Sequence, residues 1–446
     1  MRRILAQSVL PRSKAWSFFS TTTNDQDLTL FVSCLPGLEP ILSKELSSLG
    51  IPHGSTKGGV NIRKASTETI NKCHLFSGSA SHVLLRCGKA FNIRGFSELT
   101  RKVARMPWQN WIREDAVLDL RVTCSKSKIY HTAAVAQRVE AAIDKAFGRN
   151  PKGEGPVVPM TVRVHRDVVQ ISIDTSSTPL HQRGYRLETA KAPLREDIAY
   201  SMLYAAGLQK YQGLLDPMCG SGTIAIEGAA MKLGLPPGRL RKLSLDGTAF
   251  HSPELWNELL NQALESSEKL VRDLGSSQPM VMAVDRDEGT WKAATANAER
   301  AGVLQHMDIS NRSLSDHDWF TSNSTLESVL IATNPPFGKR IEASRTKTAK
   351  RFSELLPLYQ QLGNKISRMN GDEVGTVVLT NNVDLTRRMG LADTKALFST
   401  QHGGLPVVAM GSNLKNSILQ DSINPLGTDI CLTDHSGLLS IARSKP

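Results

Sequence analysis

Residues 213–233 read GLLDPMCGSGTIAIEGAAMKL. An apolar strand, Leu214–Asp216, runs into a turn at Pro217–Gly222, and a helix starts at Thr223. Gly220 and Gly222 permit positive φ and close backbone approach, and the new helix aims its free N–H groups at whatever occupies the turn. That is the layout of a nucleotide-type site. It is not a P-loop, which needs Gly-Lys-[Ser/Thr] after its spacer. A dinucleotide unit places its acid about 20 residues on. Here the next strand, MVMAVDRD, delivers Asp285 some 65 residues after Gly220, across a Pro- and Ser-broken insert. An acid ending the second strand can accept both ribose hydroxyls of any adenosine cofactor; its structural alternative is to cap the helix that follows.

Working outward, the second half of the chain alternates strand and helix, and residues 328–338 (SVLIATNPPFG) form its second loop motif. Two prolines, Pro335 and Pro336, fix φ and stiffen the turn. The Asn334 side-chain carbonyl and the Pro335 backbone carbonyl are two acceptors, and Phe337 offers a stacking face. Such a set suits a planar ring bearing an exocyclic NH₂: two acceptors hold its hydrogens and turn the nitrogen towards an electrophile. The lone pair of such an amine is delocalised, so positioning supplies much of the rate. Extruding a base into the loop costs a few kcal/mol, less where it is already unpaired.

The front of the chain reads differently. LTLFVSC opens as a strand, turns at Pro36-Gly37, and continues as an amphipathic helix (Leu38, Ile41, Leu42, Leu46) ending at Gly50. Val117, Leu118 and Leu120 suggest a strand, and TAAVAQRVEAAIDKAF a helix with Val135, Val139, Ala142, Ile143 and Ala146 on one face, stopped by Gly148. MTVRVHRDVVQISID alternates strictly and breaks at His165–Asp167, a β-hairpin whose second face carries Thr161, Arg163 and His165, either solvated or against RNA. The fold class is thus an α+β front region followed by an α/β Rossmann-like domain.

Charge divides along the same line. Of the formal net charge of +12, residues 1–24 contribute four positive charges and no acid, residues 25–185 hold 22 basic against 14 acidic side chains, and residues 186–446 hold 28 of each. A basic front suggests a polyanion partner, since Lys and Arg near phosphates gain from counterion release. Residues 1–24, bearing Arg and Ser with Ile4, Leu5 and Val9 at helical spacing, have the make-up of an organelle transit peptide, mitochondrial by Arg content with chloroplast as the alternative. No run approaches the ~18 apolar residues of a membrane helix. Six scattered cysteines without a C-x-x-C pair argue against a disulfide framework or zinc ribbon, and no metal site is expected.

Taken in order, GLEPILSKELSSLG (37–50), HQRGYRLETAKAPLREDIAYSML (181–203), DPMCGSGTIAIEGA (216–229), VDRDEGTWKAATANAERAGV (284–303), NPPFGKR (334–340) and a late GL-x₃-K-x-LF-x₄-GGLP stretch cover roughly residues 28–410. In these the chain resembles the THUMP-containing class I methyltransferases, most closely the bacterial 23S ribosomal RNA guanine-N2 methyltransferases. The resemblance implies a ferredoxin-like plus THUMP region (25–185) that grips structured RNA, with large-subunit ribosomal RNA or a pre-ribosome as partner. It implies an S-adenosylmethionine-dependent methyltransferase domain at 186–411, leaving residues 412–446 as an extension of unassigned role. Carried over by residue, Asp216, Gly220 and Gly222 line the methionine end of S-adenosylmethionine, Pro217, Cys219 and Thr223 belong to the same cofactor site, and Asp285 holds the ribose. Asn334, Pro335, Pro336 and Phe337 hold the target base. Where the family places an acid against the adenine amine, Ser313 aligns, with Asp308 or Asp316 as substitutes; Phe337 stands where relatives often have Tyr. Some bacterial relatives carry a second methyltransferase domain behind the first, which this chain is too short to hold.

The expected activity is methyl transfer to a guanine N2 of ribosomal RNA. The alternatives are adenine N6, whose amine the same loop serves, and a non-catalytic RNA-binding assembly factor. Cys219, inside the cofactor turn and away from the base loop, is not expected to be a nucleophile. His181 and Arg183 are expected to pack at the domain junction, and Pro193 to start a helix with Arg195, Glu196 and Asp197 in its first turn. No general base is expected.

Overall fold

The computed structural model describes residues 27–148, 155–187, 193–243, 245–274, 280–315, 327–337, 345–369 and 373–415. Residues 1–24, Asp316 and Cys431 lie outside them. In the front body, β1 (Leu28–Cys34) leads through the Pro36-Gly37 turn into α1 (Glu39–Ser48). Leu38, Ile41, Leu42 and Leu46 are all fully buried, as their spacing requires. There follow β2 (Gly54–Thr56), β3 (Gly59–Ala65), α2 (Thr67–Phe76), β4 (Ala80–Arg86), β5 (Phe91–Asn92) and α3 (Phe96–Ala104). β6 (Val117–Ser125) and α4 (Thr132–Phe147) come next. Gly148 closes α4 in the left-handed conformation at φ 68°.

The hairpin of β7 (Val157–His165) and β8 (Val168–Asp174) turns at Arg166-Asp167, both at positive φ, and buries Val162, Val164, Val169, Ile171 and Ile173. The strands join one sheet in the order β2-β3-β1-β4-β8-β7-β6, with β5 also on β8. The β4–β8 pairing therefore makes the two halves of the front region one continuous sheet.

The second body is built on α5 (Glu196–Ala206), β9 (Gly213–Asp216), α6 (Thr223–Lys232), α7 (Pro253–Leu274), β10 (Val281–Asp285), α8 (Glu288–Arg300) and β11 (Met307–Asn311). It continues with β12 (Val329–Thr333), α9 (Arg345–Arg368), β13 (Val374–Thr380), α10 (Val383–Arg387), β14 (Lys395–His402) and β15 (Leu405–Ser412). The sheet order is β11-β10-β9-β12-β13-β15-β14, parallel from β11 to β13, with β15 antiparallel to its neighbours. Strand order reverses between β9 and β12, and open α/β sheets bind their ligands at such a point, outside the carboxyl ends of the strands. α5 starts at Glu196, later than Pro193 suggests, because Arg195 is still extended (φ −70°, ψ 141°). Glu196 and Asp197 do occupy its first turn.

The two bodies are sewn together. The insert between α6 and β10 is not a bare loop: it contains the 22-residue α7 and, before it, a segment that follows the front body. Gly238 N–H donates to Leu75 carbonyl at 2.9 Å, Arg113 N–H to Gly247 carbonyl at 2.9 Å, and Ala249 N–H to Trp111 carbonyl at 3.0 Å. The Arg241 guanidinium gathers the carbonyls of Ser176, Thr178, Pro179 and Gln182 at 2.9–3.1 Å. Arg183 is buried and donates to Leu180 and Gly78 carbonyls at 2.7 and 2.6 Å, with the Glu227 carboxylate 3.6 Å away, while His181 meets Arg195 at 3.1 Å. Both junction residues thus pack between the bodies.

Candidate active site

Three neighbouring strands bring the sequence motifs to one edge. Ala283 of β10 pairs with Asp216, and Ile331 of β12 with Leu215, so the ends of β9, β10 and β12 lie level. Beyond them stand the glycine turn, Asp285 and the Asn334–Phe337 loop. Gly220 (φ 54°) and Gly222 (φ 85°) both need the left-handed backbone. A Cβ on Gly222 would press on Ala294 and Ile226 at 3.1 and 3.2 Å, whereas one on Gly220 would meet nothing within 4 Å. Gly222 is thus a packing glycine, and Gly220 faces open space.

Asp285 is not the helix cap. That role falls to Asp287, which accepts Thr290 N–H at 2.8 Å. Asp285 Oδ2 instead accepts Gly220 N–H at 2.8 Å and Oδ1 accepts Asp287 N–H at 2.9 Å, tying the glycine turn to the second strand end. Thr223 Oγ1 accepts from Arg186 at 2.9 Å, and Arg186 also meets Glu196 at 3.1 Å. Burial pushes the Glu196 carboxyl up to about 7, against the pull of Arg186.

Asp216 is 1% exposed and accepts one long bond, from Met218 N–H at 3.3 Å. Burial pushes its carboxyl up to about 7; the Met218 N–H and the Thr333 hydroxyl oppose this, and the charge of Asp285 adds to it. Among the described residues no cation is one of the groups that act on it. A buried carboxylate in that state suits a positively charged ligand group. Burial, then the charges of Asp216 and Asp285, hold the Cys219 thiol well above its usual range, so it stays protonated and unreactive.

In the loop after β12, Pro335 is buried, Pro336 exposed, and Phe337 packs against the main core. Among the described residues, Asn334 Oδ1 is buried with no hydrogen-bond partner. Asn381 was not among the candidates from sequence. It follows β13, the strand beside β12, is 8% exposed, and its amide has no bond among the described residues. The adjacent Asn382, by contrast, caps α10 through Asp384 and Leu385 N–H. A pair of asparagines after a strand was the only signal, and it does not say which is the cap.

Ser313 lies two residues past β11 and accepts Ser315 N–H at 3.1 Å. Asp308 is the second residue of β11, at the opposite end of the strand from the rim, so it is no substitute for Ser313. Among the described residues no group of three or more His, Cys, Asp or Glu comes together as a metal would need, and no helix is long and apolar enough to cross a membrane.

Comparison with known proteins agrees with this geometry. A family signature described as an RMKL-like methyltransferase domain matches residues 183–406, an RlmL ferredoxin-like domain residues 29–84, and a THUMP domain residues 94–174. The chain is 31% identical over 393 residues to the ribosomal RNA large subunit methyltransferase K/L of Syntrophotalea carbinolica, covering 85% of this chain and 53% of that one. To the protein of the same description from Legionella pneumophila it is 32% identical over 382 residues, covering 82% and 50%. It spans about half the length of these relatives. Among solved structures, a possible methylase from Clostridium difficile 630 superposes with a TM-score of 0.73 at 27% identity, covering 87% of this chain and 98% of that one. TrmN from Thermus thermophilus gives 0.61 at 22%, covering 86% and 99%, which speaks to the fold. The second body has the S-adenosylmethionine-binding methyltransferase fold, behind a ferredoxin-like and THUMP front.

Proposed function

The chain belongs to the RMKL-like methyltransferase family, and on that footing we propose that it methylates RNA from S-adenosylmethionine, at the exocyclic N2 amine of a guanine in large-subunit ribosomal RNA. The observation that carries this reading is the buried, unpartnered Oδ1 of Asn334 at the strand end beside the glycine turn. Leaving a buried acceptor unfilled costs about 1–3 kcal/mol; Asn71 of α2 carries that cost away from the rim, and at Asn334 it is the neighbouring glycine turn, with Gly220 open on one side, that favours a donor from outside the chain.

Asp216, Gly220 and Gly222 would hold the methionine end of the cofactor and Asp285 its ribose; the fit rests on a buried carboxylate without a cation and on the open side of Gly220. S-Adenosylmethionine, when bound, supplies a methyl on a sulfonium. Asn334 Oδ1 and the Pro335 carbonyl hold the two amine hydrogens and aim the nitrogen, and Phe337 carries the ring. With the cofactor bound there, the held amine nitrogen would take the methyl as the S–C bond breaks, and the proton would leave to water. Positioning of this kind is where much of the rate is found.

The basic front region supplies the grip on structured RNA, and residues 1–24 the address to a mitochondrion, with a plastid as the other destination. A fusion of residues 1–24 to a reporter tests the address. For the reaction, residues 25–446 are incubated with labelled cofactor and ribosomal RNA from cells lacking the protein, and the nucleosides are resolved by mass spectrometry. Label in N2-methylguanosine, lost on Asn334→Ala, is the expected result. Label in N6-methyladenosine would keep the mechanism and change the base. No label with intact cofactor binding would leave an RNA-binding assembly factor.

A further inference from the structure

The front body carries a surface that methyl transfer does not use. Between β6 and α4, residues Lys126–His131 form a loop against the β7–β8 turn. The Lys128 N–H donates to Asp167 Oδ1 at 2.8 Å, Asp167 N–H to Ser127 Oγ at 3.0 Å, and Arg166 N–H to Ser125 carbonyl at 3.2 Å. Ser125 Oγ and His165 Nδ1 meet at 2.8 Å, and Ile129 is buried beneath. Loop and turn thus form one braced tip, with Lys126, Arg166 and Asp167 all at positive φ.

On this tip Lys126, Lys128, Arg163 and Arg166 are exposed, while the one acid, Asp167, is occupied by a backbone N–H. Partial desolvation, then the charges of Arg163, Arg166 and Lys126, push the His165 pKa below its usual value, and on this tip four cations face a single carboxylate, Asp167. Beside them Tyr130 is 67% exposed, its ring 4.1 Å from that of His131. Among the described residues it is the one aromatic side chain of the large apolar groups left in water.

We propose that this tip is a stacking platform for an unpaired RNA base, with the base on Tyr130 and the flanking phosphates on Lys126, Lys128, Arg163 and Arg166. A base in a duplex has both faces covered and gives Tyr130 nothing to stack on, whereas a single strand offers a π-face with phosphates on either side. The proposal rests on the reading of RNA as the substrate.

The test separates ring from charge. With the full chain, the affinity of a mixed-sequence single-stranded RNA and of an RNA duplex many times longer than the tip, so that end faces are few, is measured across salt concentrations, with S-adenosylhomocysteine affinity as the check on fold. Tyr130→Ala weakens single-strand binding by about 5- to 100-fold, leaves the duplex unchanged and leaves the salt slope unchanged, because stacking releases no counterions. Tyr130→Trp restores it. Lys126→Ala and Arg166→Ala each flatten the slope of log K against log salt by about 0.7. Single-strand affinity unmoved by Tyr130→Ala, or equal losses on both RNAs, would overturn the platform. A wild-type chain that binds the cofactor product but neither RNA would overturn the functional reading beneath it.

Discussion

Glu45 and Asp216 are both buried carboxylates whose burial raises their pKa, and the molecule answers them in opposite ways. Glu45, at the seam between the bodies, receives Gly78 N–H at 2.8 Å, Ser79 N–H at 3.1 Å, the Ser77 hydroxyl at 3.2 Å and the Ser79 hydroxyl. Asp216, at the strand rim, receives one long bond from Met218 N–H and the weaker support of the Thr333 hydroxyl. The amides follow suit: Asn297 is bonded to Ser221 carbonyl and to Arg300, whereas Asn334 Oδ1 and the Asn381 amide have no bond among the described residues. Glu45 and Asn297 are bonded from within, although Asn71 of α2 and Arg183 Nε are buried without a partner among the described residues. The polar groups at the rim keep their capacity for something else.

Asn334→Ala is the harshest test of this division. It removes an acceptor that the folded chain does not use, so kcat for RNA methylation should fall about 10²- to 10³-fold, with the melting temperature and S-adenosylhomocysteine affinity close to wild type. A matching loss of stability would mean that the rim is saturated after all.

At the seam the reverse pattern is expected. A Cβ on Gly37 (φ 92°) would sit 1.8 Å from the Ser399 carbonyl oxygen of β14, so Gly37→Ala must displace the turn from the second body. It should cost about 3 kcal/mol, seen as a lowered midpoint in denaturant. Glu45→Ala strands the Gly78, Ser79 and Ser77 donors and the Tyr200 hydroxyl of α5 and should cost about 2 kcal/mol, again with turnover per folded molecule retained.

The smallest effect concerns pH. The apo form of Asp216, at about 7, is protonated over much of the range where a free carboxylate is charged. The folded chain therefore binds more protons than the unfolded one between about pH 4 and 7, and this group's contribution to stability falls as pH rises through that window. A cationic ligand favours the charged form, so cofactor affinity should climb by up to about tenfold per unit below pH 7 and level off above it. Isothermal titration across pH 5.5–8.5 checks this, and Asp216→Asn should flatten the profile. A wild-type profile that is already flat would place no cation at Asp216.

Much of this was legible in the chain because local chemistry dictated it. Strand, glycine turn and helix at 213–233 follow from positive-φ demand, and the 160–173 alternation from a half-buried sheet face. What escaped was long-range. That Asp287 and not Asp285 caps α8 depends on Asp285 being drawn to Gly220 across 65 residues. The β4–β8 pairing that fuses the front region, the shelter of Arg183, and the partition of Asn381 from Asn382 are likewise set by neighbours far along the chain. The 234–252 segment read only as a broken insert because its bonds to the front body reach residues about 60 to 160 positions earlier.

That stitching bears on how the protein is made. Leu75 of α2 is covered by Trp256, Leu259 and Ala263 of α7, and the Trp111 and Leu75 carbonyls wait for Ala249 and Gly238. During synthesis the front body therefore leaves the ribosome with an apolar flank uncovered until well over 60 further residues have followed. A chain cut at residue 185 would keep that flank bare for good.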